Sequence, residues 1–425
     1  LIKSNISISS CLFSPDGELV QQVDKQSLTE QESHFFMSRK QAVSVVGHDG
    51  GQFGLMSGTD SHHFNASREL SLNGAQLICN SENTFALDTS TLHDMTHAVE
   101  NNIFIATANK VGALRAQSHT NEVTDTFANV QHTEAIQQTY GAGQSQIIAP
   151  SGKVLAKIDH NNAGYTFADI DLLPAGLMKK IRPDGTKFQQ QRSTFKIEKT
   201  TVEPPTITAH EYTENLPETI NVAIFATYKS DQQAIEDVCH YIENNLSDII
   251  QLPELFFLAD KAVNHIQDEL KRIECLSHEL IQQISAVLRP FQYVCTSVVL
   301  NGNHQAVLIS QHGVVAKQQQ LNFCQRYQWT TLIDTINIIS LPLEQGHINL
   351  AMLTADDANI AETVKVAALH NIHLLLIPFD IQEPAEVNYS LLARAAENRI
   401  CIVASTREKA IATQPSPDQN QTGRN

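Results

Sequence analysis

The hydrophobic pattern between residues 51 and 109 predicts a strand, an amphipathic helix and a second strand. The apolar run 54–56 is short and ends at a turn, which is typical of a buried strand. Residues 66–75 place apolar side chains at helical spacing, and the run 76–79 is apolar again. Strands that alternate with helices in this way predict the α/β class, with helices covering layered sheets.

The same pattern returns at residues 351–378 without an insertion or a deletion. Asp357 follows Asp60 by 297 residues, and the same offset carries Glu100 to Glu397. Because a register held through two strands and two helices rarely arises by chance, the sequence predicts two tandem copies of one domain.

Strands and helices are predicted on both sides of this stretch. The first copy is expected to contain a hairpin at 4–24 that turns at Pro15-Asp16-Gly17, a strand-turn-strand unit at 145–158 and a final strand at 167–172. The second copy is expected to contain strands at 220–225, 248–252, 293–300, 305–310 and 314–317, and helices at 231–245 and 266–284.

These elements divide the chain into a first domain at 1–197 and a second domain at 218–412. The connecting residues 198–217 are rich in Thr, Glu and Pro and read as a linker, and residues 413–425 read as a polar loop or tail. The first copy lacks the elements that open the second, and the second lacks those that close the first. We therefore expect the chain to be a fragment.

Composition narrows the class of protein. The chain has 425 residues, 42% of them hydrophobic, and no apolar run of membrane-spanning length. Its net charge of −17 argues against nonspecific binding to nucleic acid or to an anionic membrane. Seven irregularly spaced cysteines fit reduced thiols rather than a disulfide framework, so the expected location is the cytoplasm.

Several short motifs occur in a family-specific order. In that order they resemble the nitrilase, or carbon-nitrogen hydrolase, superfamily over most of both copies. The motifs are Lys25-x-x-Leu28 after the hairpin, Gly54-Leu55-Met56 before x-x-Asp60, Arg68-x-Leu70-x-Leu72-x-Gly74-Ala75, Ala98-x-Glu100-Asn101, Gly143-x-Ser145, Pro150-x-Gly152, Ala168-Asp169-Ile170-Asp171 and Pro253-Glu254-Leu255.

The resemblance implies an α-β-β-α sandwich and acyl-transfer chemistry. In that family a glutamate accepts the proton of a cysteine thiol, and the thiolate attacks an amide or nitrile carbon. A lysine stabilises the tetrahedral intermediate, and a second glutamate is often present.

In the first copy the resemblance places Lys25 at the family lysine and Glu32 at the second glutamate. The base glutamate would lie upstream of Leu1. The nucleophile position is Gly58, which has no side chain.

In the second copy Glu254 matches the base, and the nucleophile position is Ala355 with Thr354 before it. The lysine position is assigned to Gln318, and the second-glutamate region to Gln325-Arg326. None of the seven cysteines is expected at either nucleophile position, so thiol catalysis is not expected in either copy.

Three hypotheses follow. The first is a pseudoenzyme that keeps the fold as a binding or assembly module. The second is an active amide hydrolase that uses water or Thr354 as its nucleophile. The third is metal binding by the histidine-rich first copy, weighed against an ordinary solvated loop, through His34, His48, His62 and His63 with Asp49 and Asp60.

No cofactor is expected, and the expected ligand is a small amide-like or nitrile-like molecule. Because family members associate through helices beside the active-site face, an internal pseudo-dimer or a homo-oligomer is also expected.

Overall fold

The structure is a computed structural model. It describes residues 6–38, 44–48, 51–84, 87–113, 140–172, 180–181, 187–188, 195–205, 215–258 and 267–407. The chain separates into two compact units, Leu1–Lys180 and Ile181–Asn425. Both units combine helices and strands, so the predicted α/β class is confirmed.

The first unit contains a hairpin, a six-stranded sheet and a short strand pair. Its strands are β1 (Ser9–Phe13), β2 (Leu19–Asp24), β3 (Val46–His48), β4 (Gly51–Ser57), β5 (Leu77–Glu82), β6 (Phe104–Asn109), β7 (Val111–Ala113), β8 (Tyr140–Ala142), β9 (Gln146–Ile148) and β10 (Val154–Lys157). Its helices are α1 (Glu30–Ser33), α2 (Phe64–Leu72) and α3 (Asp94–Asn101).

The six-stranded sheet of the first unit has the order β10-β9-β6-β5-β4-β3. Strands β4, β5 and β6 run parallel, so their carboxyl ends lie at the same edge. Residues that follow β4 and β5 are thereby brought together, and parallel sheets commonly bind ligands at such an edge.

Strands β11 (Lys180–Ile181) and β12 (Lys187–Phe188) form a separate short pair. The second unit continues with β13 (Lys196–Thr201), β14 (Val222–Ile224), β15 (Ile249–Gln251), β16 (Tyr293–Leu300), β17 (Asn303–Ser310), β18 (Gly313–Gln319), β19 (Thr335–Leu343), β20 (Gly346–Met352), β21 (Leu374–Pro378) and β22 (Cys401–Ser405). Its helices are α4 (Asp231–Glu243), α5 (Gln267–Val287), α6 (Ala361–Ala368) and α7 (Leu391–Asn398).

The second unit is built as four layers with three apolar cores between them. Its two five-stranded sheets have the orders β14-β15-β16-β17-β18 and β13-β19-β20-β21-β22. One core joins α4 and α5 to the first sheet, another joins the two sheets, and the third joins the second sheet to α6 and α7. The layers therefore follow the order helix, sheet, sheet, helix.

The spacing of elements observed in the sequence persists in the backbone. Helices α3 and α7 begin and end 297 residues apart, as do the π-helical turns Thr89–His93 and Glu386–Ser390 that precede them. The residues that end these two helices, Asn102 and Arg399, are both left-handed, with φ of 53° and 52°.

The structure differs from the predicted elements at two places. Residues 198–201, assigned to the linker, belong to β13, which pairs in parallel with β19. Residues 167–172, predicted as a final strand, are not assigned to a strand, and Phe167 is exposed. Residues 206–214 of the predicted linker and the whole segment 413–425 lie outside the described residues.

In the part of the chain that the structure describes, no helix combines the length and the apolar character needed to cross a membrane.

Candidate functional site

Gly58 and Ala355 both follow a strand and both have a left-handed φ angle. Gly58 follows β4 directly and has φ of 54°, and Ala355 comes three residues after the end of β20 with φ of 53°. This left-handed region disfavours any residue that carries a Cβ atom, so Ala355 holds a strained backbone. Such strain is common where a strand presents a functional residue at its end.

Lys25 fills the space in front of Gly58. Its side chain is buried, and its Nζ donates to both carboxylate oxygens of Glu32, at 2.7 and 2.8 Å. A Cβ atom on Gly58 would lie 2.8 Å from Lys25 Nζ. The ammonium group of Lys25 therefore lies against the position from which a side chain at residue 58 would extend.

Glu32 is held by the start of a helix as well as by Lys25. It occupies the third position of α1, accepts a hydrogen bond from Thr29 N and completes a capping box with Thr29. Partial burial opposes its ionisation, but hydrogen bonds from Lys25 and Thr29 outweigh that effect and lower the pKa of Glu32. Lys25 and Glu32, which the resemblance assigns to the same site, are therefore in direct contact.

The replacement Gly58→Ala tests the contact with Lys25, and Gly74→Ala provides its control. Gly74 also has a positive φ, of 93°, but a Cβ atom there meets nothing within 4 Å. We expect Gly74→Ala to cost about 1–2 kcal/mol from the left-handed backbone alone. Gly58→Ala should cost about 1 kcal/mol more because Lys25 must move. Equal losses in urea unfolding would show that Lys25 does not restrict this position.

Asp60 holds the loop that carries Lys25 in the first unit, and Asp357 holds the loop that carries Gln320 in the second unit. Asp60 accepts hydrogen bonds from the backbone N–H groups of Gln26 and Ser27. Asp357, the residue 297 positions later, accepts them from Leu321 and Asn322. The residue before each pair is Lys25 in the first unit and Gln320 in the second.

This pairing corrects two assignments made from the sequence. The position that matches Lys25 is Gln320 rather than Gln318, whose side chain bonds to Thr335 and Asn337. Lys25 and Gln320 are 295 residues apart, and the same interval carries Glu32 to Tyr327 rather than to Gln325-Arg326.

Glu254 is fully buried at the centre of the second unit's site. Its Oε1 accepts from Ala355 N at 2.9 Å, and its Oε2 accepts from Arg326 Nη1 and Tyr327 Oη, each at 2.8 Å. Burial raises the pKa of Glu254 although the positive charge of Arg326 opposes this. Both carboxylate oxygens are thus occupied by groups of the protein itself.

Arg326 connects three acidic side chains at this site. Besides Glu254, its guanidinium lies 3.3 Å from an oxygen of Asp356 and 3.3 Å from an oxygen of Asp380. Its Cζ atom also lies 5.1 Å from the centre of the Tyr327 ring. Because one cation satisfies a cluster of buried carboxylates, the charge balance of this site depends on Arg326.

Thr354, the alternative nucleophile, has a weak candidate base beside it. Its Oγ1 lies 3.4 Å from His304 Nε2, and that nitrogen also lies 3.0 Å from Ser297 Oγ. Burial, together with the positive charge of the nearby Arg326, lowers the pKa of His304 to about 3. A histidine with so low a pKa binds a proton poorly, so the Thr354–His304 pair does not resemble an activated nucleophile.

Cys324 lies within this site, which the sequence interpretation missed. Its thiol is hydrogen-bonded to Asp356, and it also lies within electrostatic range of Arg326 and Glu254. Burial, followed by the charge of Asp356, raises the pKa of Cys324 well above its usual value, so the thiol stays protonated. The one feature of the sequence that could have placed Cys324 in this site is its position two residues before Arg326.

The histidines proposed as metal ligands do not gather around one point. His34 is exposed at the end of α1, while the ring of His62 stacks on His93 at 5.1 Å. Asp60 is committed to the backbone of Gln26 and Ser27. Across the described residues no group of three or more His, Cys, Asp or Glu side chains could hold a metal ion, so the metal hypothesis lacks a site there. The His48 side chain and Asp49 lie outside that description.

Comparison with protein families identifies the first unit. The model of the carbon-nitrogen hydrolase family matches residues 3–180. The match to the carbon-nitrogen hydrolase family thus spans the first unit, in agreement with the resemblance that the sequence motifs predicted. A comparison with curated protein sequences found no match.

Solved structures similar to this chain include members of the same superfamily. One mutant of a Nesterenkonia amidase is 21% identical, with a TM-score of 0.31, and the match covers 37% of this chain and 53% of that one. Another mutant of the same amidase is 17% identical, with a TM-score of 0.38, covering 44% and 76%. A carbon-nitrogen hydrolase from Helicobacter pylori is 19% identical, with a TM-score of 0.29, covering 36% and 52%. The chain thus spans about half the length of the first of these structures, 53%.

Proposed function

We propose that this protein is a tandem pseudoenzyme of the nitrilase superfamily. In this proposal two copies of the domain, one in each compact unit, have each lost thiol catalysis and serve as a binding or assembly module. The observation that carries the proposal is the replacement of the nucleophile by Gly58 and Ala355 in the same left-handed backbone. Neither residue can form an acyl-enzyme.

The tandem arrangement is supported by matching backbone features. Helices α3 and α7 keep the offset of 297 residues, and Asp60 and Asp357 each bind the loop that follows a hairpin. The two sheets also share an antiparallel strand followed by three parallel ones, β3-β4-β5-β6 and β19-β20-β21-β22. Independent domains would share this combination only by coincidence.

The loss of catalysis is supported by the groups around each nucleophile position. In the first unit Lys25 Nζ occupies the space beside Gly58. In the second unit Arg326 and Tyr327 engage Glu254, so the carboxylate that would accept a thiol proton is already bonded. Gln320 replaces the lysine that would stabilise a tetrahedral intermediate.

The alternative is an amide hydrolase with a nucleophile other than cysteine. Thr354 is the candidate in the second unit because it lies one residue before Ala355 and close to His304. Its complete burial and the low pKa of His304 weigh against this reading.

The ligand expected for either reading is a small amide-like or nitrile-like molecule.

The two copies would associate as an internal pseudo-dimer, or whole chains would associate as a homo-oligomer. Small-angle scattering that showed freely separating units would contradict the internal pseudo-dimer. Seven cysteines without disulfide partners among the described residues support a cytoplasmic location.

Ammonia release from a panel of amides and nitriles tests the proposal. We expect the wild-type protein and a Glu254→Gln variant to match the buffer control. Release by the wild type that the Glu254→Gln variant lacks would favour the hydrolase instead.

A further inference from the structure

A buried polar cluster lies behind the Lys25 site in the first unit. Glu82, at the end of β5, accepts a hydrogen bond from Ser61 Oγ at 2.5 Å and one from Asn80 Nδ2 at 2.9 Å. Asp94, fully buried at the start of α3, accepts one from Gln146 Nε2 at 3.1 Å. Asn80 also bonds to Asp94, so one amide lies between the two carboxyl groups.

The fold itself does not require this cluster. The positions 297 residues later carry apolar side chains, and all four lie in or beside the apolar interior of the second unit. These four residues are Ala358, Ile377, Phe379 and Leu391, in the places of Ser61, Asn80, Glu82 and Asp94. Because burying polar groups costs free energy that apolar side chains at these positions avoid, the polar cluster is a specific feature of the first unit.

The cluster is connected to the turn that contains Gly58. Ser61 lies in the turn Gly58–His62, and its Oγ is also 2.9 Å from the carbonyl oxygen of Gly58. The carbonyl of Ser61 is 2.6 Å from His97 Nε2. The hydrogen bond from Ser61 to Glu82 therefore attaches this turn to β5.

Titratable groups approach the cluster from each neighbouring element. They are Lys25 from the loop before α1, Asp60 and His62 from the turn, and His93, Asp94 and His97 from the turn before α3 and from α3 itself. Lys25 is the one permanent cation among them, and it is bonded to Glu32.

We propose that Glu82 is a proton-operated latch that holds the turn Gly58–His62 against β5. When the carboxyl group carries a proton, the buried cluster is neutral at Glu82 and the turn stays in place. When that proton leaves to solvent, a buried negative charge faces Asp94, and the turn opens to admit water. The contact between Gly58 and the Lys25 side chain then changes as well, so the turn is held in acid and released above neutral pH.

The sign of the pH dependence follows from burial. Burial raises the pKa of Glu82 from 4.5 to about 7, with a smaller contribution from the charge of Asp94, and it outweighs the hydrogen bonds from Ser61 and Asn80, which favour the carboxylate. A raised folded-state pKa gives stability that is full below 4.5 and is lost as the pH rises through about 7. Burial raises the pKa of Asp94 to about 6, which acts in the same direction.

Amide hydrogen exchange of residues 58–62 tests this latch. After correction for intrinsic exchange, the wild-type rate should rise about tenfold from one pH unit below the Glu82 pKa to one unit above it. A Glu82→Gln variant, which stays neutral, should show no such rise, and Glu69→Gln on the exposed side of α2 should behave as wild type.

A wild-type measurement covers the case in which Glu82→Gln does not fold. A carbon-13 NMR titration should show a glutamate carboxyl with a midpoint near 7. Retention of the wild-type pH dependence by Glu82→Gln, or titration of Glu82 at its ordinary pKa, would overturn the proposal. The latch proposal is independent of the proposed loss of catalysis, because neither experiment measures catalysis.

Discussion

Arg326→Met is expected to destabilise the second unit by about 3–5 kcal/mol, because removing one partner leaves buried carboxylates uncompensated. Arg326 is bonded to Glu254, Asp356 and Asp380, and Glu254 is fully buried. Methionine keeps much of the side-chain volume, so the loss reports charge rather than packing. Urea unfolding followed by circular dichroism measures the change.

The matched control is Arg272→Met. Arg272 also forms an ion pair, with Asp231 at 3.0 Å, but both side chains are more than half exposed. We expect a loss of less than about 1 kcal/mol there. The double variant Arg326→Met with Glu254→Gln should recover part of the loss, since it removes one of the uncompensated charges. Equal losses for the two arginines would contradict the role assigned to Arg326.

Asp357→Ala is expected to cost roughly 3 kcal/mol or more, because each buried donor left without a partner costs about 1–3 kcal/mol. Asp357 is fully buried and accepts from Leu321 N, Asn322 N and Asn322 Nδ2 at 2.8–2.9 Å. We also expect the loop after β18 to become more mobile, because Asp357 holds the backbone N–H groups of Leu321 and Asn322. Urea unfolding and proteolysis of that loop measure the two effects.

Asp60→Ala provides the comparison in the first unit. Gln26 and Ser27, whose backbone groups Asp60 binds, are only partly buried. Water can satisfy these donors in the variant, so we expect a smaller loss than for Asp357→Ala. A larger loss in the first unit would contradict the interpretation that burial of the donors sets the cost.

The sequence predicted the fold well where periodicity was strong. Strand β16 has the predicted bounds, and α5 differs from its prediction by only a few residues, because long apolar patterns report burial directly. Residues 198–201 were assigned to a linker because Thr, Glu and Pro around them gave no periodicity. Their strand depends on pairing with β19, a tertiary contact that local sequence does not encode.

The site was predicted in part. Glu254, Gly58 and Ala355 lie at strand ends as expected, and Lys25 meets Glu32. In the proposed tandem arrangement Gln320 takes the place assigned to Gln318, because the offset between the copies is 297 at Asp357 but 295 at Gln320. The intervening loops differ in length, and a single sequence gives no direct measure of that difference.

The contacts of Arg326, Tyr327 and Cys324 with the Glu254 site were not foreseen. All three lie on or beside the short turn Gln325–Tyr327, which follows a loop without apolar periodicity. The position of such a loop depends on the charged groups that it contacts. Here these groups are Glu254, Asp356 and Asp380, which follow β15, β20 and β21. Sequence spacing alone could not bring these residues together.

Mass spectrometry with peptide mapping after incubation with reactive amides, esters and nitriles tests the central claim most directly. We predict that peptide mapping finds no adduct at either site, because Gly58 and Ala355 offer no nucleophile and Cys324 is buried and protonated. Acylation of the exposed thiols Cys11, Cys275 and Cys401 measures the nonspecific background. A stable acyl adduct at Thr354, at Cys324 or beside Gly58 that exceeds this background would contradict the proposal that both copies have lost covalent catalysis.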